Sequence, residues 1–272
     1  MKSQAEKIAA FRTLHDRDRA FIIPNPWDAG TARLLQSMGF EAVATTSAGY
    51  AYTLGRPDGA VGLDTMLAHA AEMVNAIDLP VSADLENGYA DAPEAVAETI
   101  RRAAAAGLAG CSIEDVPLGR AGAPYDVGFA AERIRAAVEA ARALPAPMVV
   151  TARAENFIVG RPDLRDTIAR LQAFQEAGAD VLFAPGVANE RDIADVVASI
   201  DRPLNVIMGL QGVNLTLDRL SQLGVKRVSV GSSLSRAALG AFIRAARELR
   251  DSGTFTFAAD AVKYADIQAM FA

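Results

Sequence analysis

The stretch Val81-Ser82-Ala83-Asp84-Leu85-Glu86-Asn87-Gly88-Tyr89 places two carboxylates where an apolar run ends. Val81 to Ala83 read as a buried strand leaving the core, and Asn87-Gly88 is a turn signal. A third carboxylate, Glu114, closes the run at 110–114. Three unpaired acids brought together would repel, and a buried one would take up a proton. A divalent cation resolves that conflict. An oxygen-only donor set without a local His or Cys cluster points to Mg²⁺, with Mn²⁺ as the alternative, rather than Zn²⁺. The expected metal-binding residues are therefore Asp84, Glu86 and Glu114. For any one of them alone, a solvated loop acid or a helix N-cap remains an open reading.

These acids must be carried by rigid elements. A helix-like segment, a glycine and a short apolar run recur at 34–45, 103–115, 174–185 and 220–231. Gly39, Gly107, Gly178 and Gly224 stand where a helix ends in a left-handed residue. Ser3-x-x-Glu6 and Asp91-x-x-Glu94 read as capping boxes, the second with Pro93 in the first turn, and Asp163 as an N-cap. Candidate strands fall at 21–24, 42–45, 81–84, 110–114, 148–152, 181–184, 204–208 and 227–230. Eight strands alternating with helices, without a linker, predict an α/β fold: a single (β/α)8 TIM barrel domain over 1–272 with a C-terminal helical tail. A doubly wound open sheet is the runner-up, but no glycine-rich dinucleotide fingerprint follows the first strand. In such a barrel, chemistry sits at the carboxyl ends of the strands, where 84, 86 and 114 all fall.

Composition narrows the classes. The chain has 272 residues, 51% hydrophobic, with a net charge of −6. That balance gives no general affinity for nucleic acid or an anionic membrane. No apolar run approaches the roughly 18 residues that span a bilayer. The N-terminal residues lack a signal peptide's apolar block, and one cysteine, Cys111, permits no intramolecular disulfide; a cytoplasmic location is expected. Cys111 lies within a strand and reads as core; His15 and His69 lie on helices and read as surface or packing residues. Trp27 and Tyr50 could wall a pocket, and Gly231-Ser232-Ser233 is either an anion site or a plain helix cap.

Asp84-Leu85-Glu86-Asn87-Gly88-Tyr89 together with Ser112-Ile113-Glu114-Asp115 resembles the isocitrate lyase/phosphoenolpyruvate mutase superfamily, over most of the chain. Thr46-Ser47-Ala48-Gly49 resembles its substrate-binding loop. Arg56-Pro57-Asp58-Gly59 holds its further acidic residue, Thr151 to Glu155 resembles its arginine strand, and Asn205 falls near its strand-seven asparagine. The family has Asp-x-Asp where this chain has Asp84-x-Glu86. The resemblance implies a barrel whose last helix is exchanged between subunits of a homodimer or homotetramer, Mg²⁺, and a 2-oxo acid substrate that reacts through an enolate. It implies catalytic roles for Asp58, Glu114 and Arg153. Substrate contacts are expected from Thr46, Ser47, Ala48, Gly49, Arg153 and Asn205. The resemblance also implies Asp84 as the direct metal ligand, with Asp58, Glu86 and Glu114 acting partly through water. The metal would polarise the oxo group, backbone N–H groups at 47–49 would bind an oxyanion, and Arg153 would hold a carboxylate.

The chain also departs from the family's branches. The lyase branches carry Lys-[Lys/Arg]-Cys-Gly-His after strand four, and the phosphonate branches a Lys-containing segment. Here 116–129 reads VPLGRAGAPYDVGF, with no Cys, His or Lys. Arg120, Tyr125 and Asp126 are its substantial polar groups, and Gly119 and Gly122 suit a mobile lid. Strand six ends in Ala184-Pro185-Gly186, where relatives place Glu or His. The expected activity is thus one that needs little acid–base help: a Mg²⁺-dependent carbon–carbon lyase for a small 2-oxo dicarboxylic acid, like an oxaloacetate decarboxylase. The alternatives are a phosphonopyruvate or phosphoenolpyruvate C–P bond enzyme, and a barrel that binds a 2-oxo acid such as 2-oxoglutarate with little catalysis.

Overall fold

The computed structural model describes residues 2–118 and 122–271. Its strands are β1 Phe21–Ile23, β2 Val43–Ala44, β3 Val81–Asp84, β4 Gly110–Glu114, β5 Val149–Arg153, β6 Val181–Phe183, β7 Leu204–Ile207 and β8 Arg227–Ser229. All pair in parallel, in the order β1-β8-β7-β6-β5-β4-β3-β2. The remaining seam, between β1 and β2, is drawn together where the Ala44 N–H donates to the Pro24 carbonyl at 3.0 Å. The (β/α)8 barrel is therefore nearly closed, and each expected strand is present within a residue or two.

The helices are α1 Gln4–His15, α2 Ala29–Ser37, α3 Ser47–Thr53, α4 Leu63–Ala76, α5 Pro93–Ala105, α6 Val127–Arg142, α7 Leu164–Glu176, α8 Glu190–Ala198, α9 Leu217–Gln222, α10 Ser233–Ser252 and α11 Tyr264–Phe271, with a 3-10 turn at Thr256–Asp260. Gly39, Gly107, Gly178 and Gly224 adopt φ of 85°, 86°, 99° and 91°, as their C-terminal positions demand. At Gly107 space is limiting as well: a Cβ would come within 2.8 Å of Val74. Ser3 and Glu6 form the expected capping box, and Asp163 caps α7. The box expected at Asp91-x-x-Glu94 does not form. Ala92 is the N-cap of α5, without a side-chain bond, because Asp91 turns away to accept from Tyr125 Oη and, at 3.4 Å, from Asn87 Nδ2.

Apolar strand and helix faces make the main core, with Cys111 fully buried in it, and Ala51, Val61 and Met66 form a small second cluster. α1 lies across the amino-terminal mouth of the barrel. Gln4 donates to the Leu108 carbonyl, Arg12 to the Met148 carbonyl, and Phe11 meets His15 and Phe21 edge to face. Closing that end leaves the opposite mouth for a ligand. No described helix is long and apolar enough to cross a membrane.

Candidate active site

At the carboxyl ends of the strands opens a cavity of about 280 Å³. Asp84 is the last residue of β3, Glu114 of β4 and Arg153 of β5; parallel register sets Glu114 beside Arg153 and Asp84 beside Ser112, two residues earlier on β4, so all three meet at one rim. Arg153 ties them together: Nη1 donates to Asp84 Oδ1 at 3.0 Å and lies 2.9 Å from Glu114 Oε1, while Nε donates to Glu155 Oε1 at 2.8 Å. Its guanidinium also lies over the Phe183 ring, 5.1 Å from the centroid. Asp84 Oδ2 accepts from Ser47 Oγ at 2.8 Å and from the Ser47 N–H at 3.3 Å. Thr46, Ser47, Ala48, Asp58 and Asn205 line the same cavity.

The local charge is lopsided. Glu86 is buried on a left-handed backbone, φ 50°. Burial, then Asp84 and Asp58, push its carboxyl up to about 8 against the opposing pull of Arg153 and Ser47. Burial also raises Glu114 well above its ordinary range against the opposing pull of Arg153, with Glu155, Asp84 and Glu86 adding to the rise. Asp58, exposed at the rim, is raised by partial desolvation and then by Asp84. Burial disfavours the Arg153 charge, but Glu114, Glu155, Asp84 and Glu86 hold it above its ordinary range. Buried carboxylates that outnumber the one cation facing them among the described residues are a donor set a divalent ion would relieve. Among the described residues no three His, Cys, Asp or Glu groups converge as direct ligands of one ion. The arrangement therefore fits a hard cation held by one carboxylate, with water and ligand completing its shell, better than an all-protein cage.

A family profile for phosphoenolpyruvate phosphomutase matches residues 11–250. The chain belongs to that family, within the phosphoenolpyruvate mutase/isocitrate lyase superfamily. A crystal structure from Burkholderia cenocepacia J2315, provisionally assigned as a lyase/mutase, is 61% identical with a TM-score of 0.96, covering 99% of this chain and 96% of that one. An oxaloacetate decarboxylase from Pseudomonas paraeruginosa is 32% identical over 91% of this chain and 87% of its own. A 2-methylisocitrate lyase from Halalkalibacterium halodurans is 27% identical over 93% and 85%. With such relatives, the chain is a lyase-type enzyme.

The family's substrate loop is only partly available for binding. Thr46 caps α3 by accepting from the Gly49 N–H at 3.1 Å, and the Ser47 N–H points to Asp84, so of the three amides at 47–49 expected to hold an oxyanion two are engaged. Gly49 is a packing position rather than part of the cavity wall, since a Cβ there would meet Thr46 Cγ2 at 2.5 Å and Trp27 at 3.2 Å. Asn205 lines the cavity with both ends of its amide spent: Oδ1 accepts from Arg227 Nε at 2.8 Å and Nδ2 donates to Ser229 Oγ at 3.0 Å. Glu86 is buried and does not line the cavity, and its link to the rim is the charge of Asp84 and Asp58.

Other expectations change with the fold. Tyr50 stacks on His69, centroids 3.6 Å apart, and Trp27 faces α10 in a separate groove; neither walls the cavity. Tyr125 and Asp126 are structural, the first bonded to Asp91 and Asn87, the second capping α6; Gly119 and Arg120 fall outside the described residues. Gly231 and Ser232 line the cavity, and Ser232 starts α10 without a side-chain cap.

Three buried arginines were not singled out from the sequence. Arg133 donates to the carbonyls of Asn87, Ala90, Asp91 and Glu114, binding the loop after β3 to the end of β4. Arg170 pairs with Asp115 at 3.1 Å, and Asp115 accepts from the Glu155 N–H. Arg227 lines the cavity from below; burial lowers it to about 9. The available signal was a charged residue inside the Val225–Val230 apolar run, at the parity of the inward-facing Ser229.

Proposed function

We propose that this enzyme is a Mg²⁺-dependent lyase for a small 2-oxo dicarboxylic acid, decarboxylation of oxaloacetate being the reaction its site serves most simply. The observation that carries the reading is the pair of strand-end acids Asp84 and Glu114 bridged by Arg153, with Asp58 and Glu86 close enough to feel the Asp84 charge. Mn²⁺ would serve in the same place. Asp84 would hold the ion directly, with Glu86 and Glu114 acting through water, and the bound ion would supply Lewis acidity toward the 2-oxo group.

The chain's own residues do the rest. Ser47 and Arg153 fix the two Asp84 oxygens, so that carboxylate cannot swing away. Arg153 keeps Glu114 close despite its burial. Thr46, Ala48 and Pro185 shape the mouth around the substrate. Decarboxylation breaks the bond from C3 to the departing carboxylate, its electrons move toward the oxo group, and CO₂ leaves without a proton transfer; the enolate left behind then takes a proton from water at C3 to give pyruvate. That economy suits a loop at 116–129 without Cys, His or Lys. Relatives that carry the names oxaloacetate decarboxylase and 2-methylisocitrate lyase support carbon–carbon cleavage.

The test follows oxaloacetate loss and pyruvate appearance with Mg²⁺, with EDTA, and with Mg²⁺ alone to subtract the uncatalysed rate. Turnover above the metal background that EDTA abolishes is expected, falling by about 100-fold or more in Asp84→Asn. Asp84→Asn with undiminished turnover removes the assigned ligand. Consumption of phosphonopyruvate instead favours C–P chemistry, and Mg²⁺-dependent binding of 2-oxoglutarate without turnover favours a binding barrel.

A further inference from the structure

Two cationic side chains line the cavity among the described residues, Arg153 and Arg227. They differ in what they have left to give. Arg153 faces Asp84, Glu114 and Glu155, three carboxylates for one positive charge. Arg227 is just 4% exposed and faces no carboxylate at ion-pairing distance among the described residues. Its contacts are neutral: Nε to Asn205 Oδ1 at 2.8 Å, Nη2 to Thr151 Oγ1 at 3.0 Å, and Nη1 toward His15 Nε2 at 3.4 Å. Those contacts occupy three of the five N–H groups of a guanidinium.

The position matters as much as the charge. β8 begins at Arg227, which registers with Asn205 on β7 and Phe21 on β1. Asp84, Glu114 and Arg153 sit at the far ends of their strands. The cavity therefore runs from an acidic rim to a cationic floor, between Ser82 and Ser112 on one side and Asn205 and Ser229 on the other. A buried charge without a counterion is costly, and a guanidinium fork is shaped for a carboxylate.

We infer that Arg227 is the specificity residue for the distal carboxylate of the substrate: the 2-oxo head engages the acidic rim, and the second carboxylate reaches down to the unpaired guanidinium; in oxaloacetate this is the group lost as CO₂, so the fork selects the substrate and its ion pair is given up as the bond breaks. This rests on the 2-oxo acid reading above and assigns Arg153 a different part, that of holding the rim acids. It also gives a reason for a dicarboxylate over a monocarboxylate. Asn205 and Thr151 act as positioning residues that aim the fork, and His15, neutral beneath it, supplies no competing charge.

Lactate and malate differ by the distal carboxylate alone, and both resist decarboxylation. Their affinities are measured calorimetrically with Mg²⁺ for the wild type, Arg227→Met and Arg227→Lys. The wild type is expected to prefer malate. Arg227→Met should lose malate affinity by at least about 30-fold while lactate changes little, and Arg227→Lys, which keeps charge without the fork, should retain part of the preference. A preference for malate that survives in Arg227→Met, or an equal loss of both ligands, overturns the assignment. Should Arg227→Met not fold, Arg227→Lys decides, and an unchanged preference there overturns it. Absence of Mg²⁺-dependent binding to the wild type of both hydroxy acids and of pyruvate, a 2-oxo acid that does not decarboxylate this way, takes down the 2-oxo acid reading itself, and this inference with it.

Discussion

His15 stays neutral because burial, and then the Arg227 guanidinium, lower its pKa from 6.5 to about 3. Its Nδ1 lies 2.8 Å from the Phe11 carbonyl, so that nitrogen carries the proton and Nε2 is left to accept from Arg227. As pH falls below 6.5 the unfolded chain binds a proton here that the folded chain refuses until about pH 3. The unfolded state then holds more protons, and stability drops through that window, by an amount of the order of 5 kcal/mol at the full shift. His15→Gln keeps a donor and an acceptor without titrating. Urea unfolding from pH 7 to pH 4 is expected to show the wild type losing stability more steeply than His15→Gln. Parallel curves would show that His15 does not refuse the proton. The same residue was readable from sequence only as a packing or surface histidine, since nothing in its own helix announces an arginine from β8.

The loop after β3 shows what one side chain does for a whole element. Glu86, Gly88 and Tyr89 take φ of 50°, 80° and 55°, and for the two non-glycines such backbone costs about 1–3 kcal/mol each. Arg133, fully buried on α6, offsets this by holding three carbonyls of that loop and the Glu114 carbonyl, under the Tyr125 ring at 4.4 Å. Arg133→Met strands those acceptors and is expected to cost about 3–5 kcal/mol in urea unfolding, with Arg133→Lys recovering little because an ammonium cannot span the same carbonyls. A loss below about 1 kcal/mol would mean the loop holds itself. Strand ends were legible from the sequence because alternation and glycine stops locate them, and with them Asp84, Glu114 and Arg153. Arg133 was not, because Arg133 and Arg135 sit in one Ala-rich stretch of α6 and local pattern cannot say which one the neighbouring loop engulfs. Asp91 failed as a cap for a related reason: the Tyr125 hydroxyl that claims it is 34 residues away.

At the scale of the whole molecule, the carboxyl-terminal helices are the part this chain does not cover. On α10 only Ser235 is buried, while Leu234, Leu239, Phe242, Ile243 and Leu249 are exposed, Phe242 at 69%. Beyond it Phe255 and Tyr264 are exposed at 70% and 80%. A groove between α10 and the barrel, walled by Trp27, Tyr52, Leu239 and Phe242, continues the same apolar surface. α11 returns toward α2, where Arg33 donates to the Phe271 carbonyl, but it buries none of its own residues. A contiguous apolar face of this kind marks an association surface. We propose a second copy as the occupant, as the resemblance to the family implies; its α10 would bring the matching apolar stripe and close an isologous interface. Light scattering on the full chain should then return a mass of two or four times 28.6 kDa. Phe242→Glu, at an exposed position that leaves the barrel core untouched, should shift the particle toward the monomer at micromolar concentration with its secondary structure intact. A wild-type monomer across that range would mean that the helix serves another surface, and an unaltered oligomer in Phe242→Glu would place the subunit contact elsewhere on the barrel.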